Sequence, residues 1–153
     1  MVALNAVFHV SPLTSMLEAY VRAGFALVPI IQGKGPTTTG WNKRENCITR
    51  PEQIDPTVGY GLAHAYCMPV TCALDIDSWG EAVEDLRADG VDLLALVDSP
   101  DSVMIDSGNP GHAKLLFTLP FGITMPSKKA MLIGKVVFEL RCATTNGLTM
   151  QDL

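Results

Sequence analysis

The chain has 153 residues, 48% of them hydrophobic, with a mean hydropathy of +0.24 and a formal net charge of −5. These values suit one domain over residues 1–153 with a sizeable core, and exclude a disordered chain. The acidic balance excludes broad, sequence-blind clamping of DNA phosphates, but leaves room for an enzyme that holds nucleic acid through metal ions and a few placed cations. The longest apolar run, Phe25 to Ile31, contains Pro29 and stops at Gln32-Gly33, far short of the roughly 18–20 residues that span a bilayer. The start lacks a basic segment and His9 interrupts its apolar stretch, so a cytoplasmic protein with no membrane segment is expected.

In chain order, the first element is a helix from about Pro12 to Ala23. Ser11 suits the N-cap, Pro12 the first turn and Gly24 the position past the end. Leu13, Met16, Leu17, Tyr20 and Val21 recur at helical spacing and predict one buried face. Phe25 to Ile31 reads as a buried strand. From Gln32 to Pro56, glycine, proline, threonine and charged residues predict a long surface loop. Its Trp41 is either a base-stacking residue or a loop anchor. Val58 to Ala65 and Val70 to Ile76 are predicted strands with a turn near Met68-Pro69. Ser78-Trp79-Gly80-Glu81 has the capping-box pattern for a helix to about Ala88, and a short helix is expected over Asp92 to Val97. Val103 to Asp106, Ala113 to Leu119 and Lys135 to Arg141 complete the strands. The order implies a mixed α/β, or α+β, fold.

The cysteines (Cys47, Cys67, Cys72 and Cys142) are irregularly spaced, as expected of reduced thiols. A zinc site drawn from His64, Cys67 and Cys72 is the less favoured reading, because the spacing matches no finger pattern.

The sharpest chemical signal is Leu74-Asp75-Ile76-Asp77 at the end of an apolar strand. Residues two apart on a strand share a face, so Asp75 and Asp77 project together, and a divalent cation relieves their repulsion. Hard oxygen donors suit Mg²⁺ or Mn²⁺. A third acid, Glu139, interrupts the apolar strand Val136-Val137-Phe138-Glu139-Leu140-Arg141. It needs a partner there: either Arg141, or a metal shared with Asp75 and Asp77. Carboxylates around Mg²⁺ are the usual site for phosphoryl or nucleotidyl transfer. Between these acids, Gly111-His112-Ala113-Lys114 enters a strand with His112 and Lys114 on one face, placed to hold a triphosphate.

The order of these pieces resembles the N-terminal domain of bifunctional DNA primase/polymerases, in the archaeo-eukaryotic primase superfamily. Asp75-Ile76-Asp77 is similar to the family's first acidic motif, and Glu139-Leu140-Arg141 to its third. Ala19-Tyr20, Gly24-Phe25, Val28-Pro29-Ile30, Gly33-Lys34-Gly35-Pro36 and Gly40-Trp41-Asn42 resemble the typical opening, and Gly59-Tyr60-Gly61-Leu62 the strand before the first motif. The second motif departs from the pattern. Where the family has a form like His-x-x-Phe, Lys114-Leu115-Leu116-Phe117 puts Lys114 at the histidine position, with His112 two residues earlier on the same face.

The resemblance implies a primase-polymerase core: a small N-terminal α/β unit packed on an RRM-like antiparallel sheet. It implies template-dependent nucleotidyl transfer on single-stranded DNA with a dNTP or NTP. Asp75, Asp77 and Glu139 would hold Mg²⁺ or Mn²⁺, while Lys114, His112, Arg141 and Lys34 would contact nucleotide. Two rival readings stand beside it: a degenerate nucleic-acid-binding module and a two-metal nuclease. Relatives continue past the third motif into a Pro-Pro-Ser-like segment, whereas this sequence ends at Gln151-Asp152-Leu153. A fragment of a larger phage or mobile-element replication protein, with a helicase region downstream, is expected.

Overall fold

The computed structural model describes residues 12–32, 35–105, 108–123, 125–142 and 151–152. Helix α1 (Pro12–Arg22) leads into strand β1 (Leu27–Ile30), which pairs antiparallel with β2 (Gly59–Ala63). A short β8 (Gln151–Asp152) lies along β2 and completes a three-stranded sheet. The other sheet takes β3 (Thr71–Ile76), β4 (Val103–Ile105), β5 (Ala113–Thr118), β6 (Lys128–Leu132) and β7 (Lys135–Cys142). Its order is β4-β5-β3-β7-β6, and every neighbouring pair is antiparallel. The mixed α/β class and the antiparallel sheet agree with the expectation.

The helices α2 (Trp79–Ala88) and α3 (Leu93–Val97) cover one face of the larger sheet. There Leu74, Ile76, Leu115 and Phe138 pack with Ala82, Leu86 and Leu93 into the main core. Alternation explains the choice of face: in β3, Leu74 and Ile76 point to the helices, so Asp75 points away from them. Among the described residues no helix is long and apolar enough to cross a membrane.

The end of α1 depends on Gly24. Its amide donates to Val21, and that of Phe25 to Tyr20, which closes the helix in a Schellman motif. Gly24 has φ +95°, and a Cβ there would collide with the Met68 carbonyl oxygen, so glycine is required twice over.

Several expectations need correction. Of the predicted buried stripe of α1, Leu17 and Val21 are buried, while Leu13, Met16 and Tyr20 are exposed. Tyr20 is exposed because it lines an open cleft beside α1. The stretch after β1 is less irregular than predicted. It holds short 3-10 turns at Arg44–Asn46 and Pro51–Gln53, and Ile48 exchanges backbone hydrogen bonds with Leu27 at 2.8 and 3.0 Å. Trp41 packs on the small core of Ala26, Val28, Cys47, Ala63 and Cys67, as an anchor of this loop. Ser78 is the N-cap of α2, but its side chain makes no capping bond; the Trp79 amide donates to the Gly111 carbonyl at 2.9 Å instead. Strand β6 was not predicted. It forms a hairpin with β7 through Ile133 (φ 48°) and Gly134 (φ 76°), a turn in which isoleucine replaces the usual asparagine or aspartate.

The zinc reading also fails. Cys67 Sγ accepts from the Ala26 amide at 3.4 Å, Cys72 faces Cys142 across β3 and β7, and the His64 ring bonds Thr71. All four cysteines are free and buried.

Candidate active site

The site grows out of strand register. Asp75 in β3 lies directly opposite Lys114 in β5 on one side and Glu139 in β7 on the other. In antiparallel pairs, directly opposed side chains lie close enough to interact. Lys114 Nζ stands 3.7 Å from Asp75 Oδ2. Arg141, opposite Ala73, reaches diagonally to Asp75 Oδ2 at 3.0 Å and back along its own strand to Glu139 Oε2 at 3.1 Å. Of the two partners considered for Glu139, Arg141 is in place beside it, and Asp75 lies opposite it across the sheet. Lys129, on the edge strand β6, also pairs with Glu139. No sequence pattern singled out Lys129, because its strand was not recognised.

Asp77 lies one alternation beyond Asp75. Its amide and that of Ser78 donate to the Val137 carbonyl at 2.9 and 3.1 Å, which holds the strand end against β7. The Asp77 carboxylate meets His112 Nδ1 at 3.5 Å. Two acids two residues apart thus face two basic residues two apart. Lys34 falls outside the described residues.

Part of this row forms the polar floor of a cleft of about 910 Å³ between the α1, β1 and β2 unit and the larger sheet. Asp75, His112, Lys114 and Arg141 line it on the sheet side, while Leu17, Tyr20, Phe25 and Tyr60 line it from the N-terminal unit. One wall is charged and the other is apolar and aromatic, as a ligand with an anionic part and a flat part requires.

His64 is a residue whose place the sequence did not reveal. It is fully buried after β2, and its Nδ1 lies 2.8 Å from Thr71 Oγ1. Burial, with Lys114 and Arg141 nearby, pushes its pKa down to about 4. It is therefore a neutral ring behind the row at ordinary pH.

Among the described residues, no group of three or more His, Cys, Asp or Glu stands ready to hold one metal ion. The expected cage is resolved into pairs: Asp75 and Glu139 share the Arg141 guanidinium, and Asp77 pairs with His112. The donor chemistry still fits a hard cation. The acids are oxygen donors, and the place between Asp75 and Glu139 is held by a positive charge.

The site is thus an antiparallel sheet carrying alternating acids and cations beneath an aromatic-walled cleft. The chain belongs to the family of bifunctional DNA primase/polymerase N-terminal domains, whose model matches residues 17–149. Membership implies a function of the DNA primase/polymerase type, with nucleotidyl transfer as its chemistry. No curated protein and no solved structure matches the chain.

Proposed function

We propose that this chain is a template-dependent nucleotidyltransferase that extends DNA from a nucleoside triphosphate in the cleft above β3, β5 and β7. The observation that carries this reading is Asp75 standing between Lys114 and Glu139 in the sheet, with Asp75 and Lys114 lining the cleft, in a chain of this family. Asp75, Asp77 and Glu139 would hold Mg²⁺ or Mn²⁺, which supplies charge neutralisation for the triphosphate and lowers the pKa of the attacking 3′-hydroxyl.

The other parts act without the metal. Lys114 and Arg141 line the cleft and pair with phosphate oxygens once a triphosphate is present, Arg141 in the forked geometry its guanidinium favours. His112, where the strand enters, is a further phosphate contact in place of the family's histidine. Tyr20, Phe25 and Tyr60 offer flat apolar surface to a base or sugar and keep water from the reacting phosphate.

The experiment is Mn²⁺-dependent incorporation of labelled nucleotide on primed single-stranded DNA, with the parent chain and an Asp75→Ala, Asp77→Ala double variant. Extension by the parent, abolished in the variant, is the expected outcome. Shortening of the DNA without any triphosphate would replace this reading with a two-metal nuclease. DNA binding with neither reaction would replace it with a binding module.

A further inference from the structure

The acids of the row are neutralised before any ligand arrives. One guanidinium bridges Asp75 and Glu139, at 3.0 and 3.1 Å. Lys114 stands 3.7 Å from the same Asp75 oxygen, and Lys129 pairs with Glu139 from the other side. Three cations thus surround two carboxylates. A divalent ion entering alone meets carboxylates already paired with cations of the protein's own, and like charges held a few ångströms apart repel. A triphosphate reverses that balance. It brings several negative charges into a cleft that Arg141 and Lys114 both line, and a guanidinium binds phosphate at least as well as carboxylate. The Arg141 side chain is long enough to change partner while its backbone stays paired in β7.

We propose, resting on the reading of the site given above, that Arg141 is a positioning residue that orders metal loading. In the unliganded protein it keeps the place of a cation between Asp75 and Glu139; a nucleoside triphosphate draws it to the phosphates and frees the two acids. The cleft then gathers metal together with substrate and stays poor in metal without it. Lys129 contributes to the same exclusion from the Glu139 side.

The test is Mn²⁺ affinity without nucleotide, read from the electron paramagnetic resonance signal of free Mn²⁺. It compares the parent with Arg141→Gln, Arg141→Lys and Lys129→Gln, each checked for folding by circular dichroism. Arg141→Gln is expected to bind Mn²⁺ about 10-fold more tightly than the parent, a gain of about 1.4 kcal/mol. Arg141→Lys, which keeps the charge, stays near the parent. Lys129→Gln shows a smaller gain; its side chain is 55% exposed, so the substitution leaves folding intact. If Arg141→Gln does not fold, Lys129→Gln decides, and no gain there overturns the proposal. Equal or weaker binding by both glutamine variants overturns it as well. A second titration, with a non-hydrolysable triphosphate at fixed free Mn²⁺, separates two failures. Parent binding that is equally tight with and without nucleotide removes ordered loading alone. No Mn²⁺ uptake by any chain under either condition removes the metal site itself.

Discussion

On one face of β3, Leu74 and Ile76 are buried among Ala82, Leu86 and Leu93 of the covering helices. On the opposite face of the same strand, Thr71 bonds His64, and Asp75 meets Lys114 and Arg141. The first face is held by burial of apolar area, which is roughly additive and not directional. The second is held by one-to-one pairs whose worth depends on a partner at the right register position. A strand of six residues thus carries an apolar core face on one side and a face of polar pairs on the other, and substitutions on the two sides are expected to fail in different ways.

The largest effect is expected on the helix-covered face. Leu115→Ala, at a position fully shielded from solvent, should cost about 3–4 kcal/mol in urea unfolding, through lost burial and the cavity left behind. Asp75→Asn on the other face should cost no more than about 1 kcal/mol, because the carboxylate is partly solvated. Equal losses at the two positions would break the contrast.

The second effect is one of pH, and it belongs to the cleft side. The folded-state pKa of His64, about 4, lies below its ordinary 6.5, so the unfolded chain takes up the proton first on acidification. The stability from burying a neutral ring is present above about pH 6.5 and is lost as the pH falls through 4. Between pH 7.5 and 5 this amounts to about 2 kcal/mol. Unfolding of a His64→Gln variant at both pH values should lack that part of the slope.

A comparable or smaller loss, about 1–2 kcal/mol, is expected for Gly24→Ala, which forces a side chain into the left-handed region and against Met68. It is read as a lower urea midpoint. Ile133→Asn is expected to do the reverse on the smallest scale. It relieves a β-branched residue at φ 48° and should raise stability by about 0.5 kcal/mol, seen as a Tm higher by a few degrees at most.

The helix-covered face was the more legible one in the sequence. Periodicity placed α1, α2, β3, β5 and β7 within a residue or two, because burial leaves a repeating apolar trace. The α1 stripe misled at Leu13, Met16 and Tyr20, which are exposed, Tyr20 as apolar surface facing the cleft rather than a core. Strand β6 escaped notice because the Ile133-Gly134 turn lacks the usual residues, and Lys129 was lost with it. On the charged face, the spacing of Asp75 and Asp77 and the matched spacing of His112 and Lys114 announced a shared side. The pairings depend on register between strands up to 70 positions apart, as for Cys72 with Cys142, and local pattern carries no such information. His64 gave no local sign either: only the packing behind the row makes it a neutral neighbour of Lys114 and Arg141.

The claim that the charged row is the reaction centre is tested most directly by Glu139→Gln, which removes one charge from the row and leaves the shape of the side chain. The measurement is nucleotide incorporation on primed single-stranded DNA with Mn²⁺, at equal concentrations of folded parent and variant. The account predicts a loss of at least about 100-fold with nearly unchanged urea stability, as for removal of a carboxylate that acts on the transferring phosphate. Incorporation by the variant at the parent's rate would contradict it.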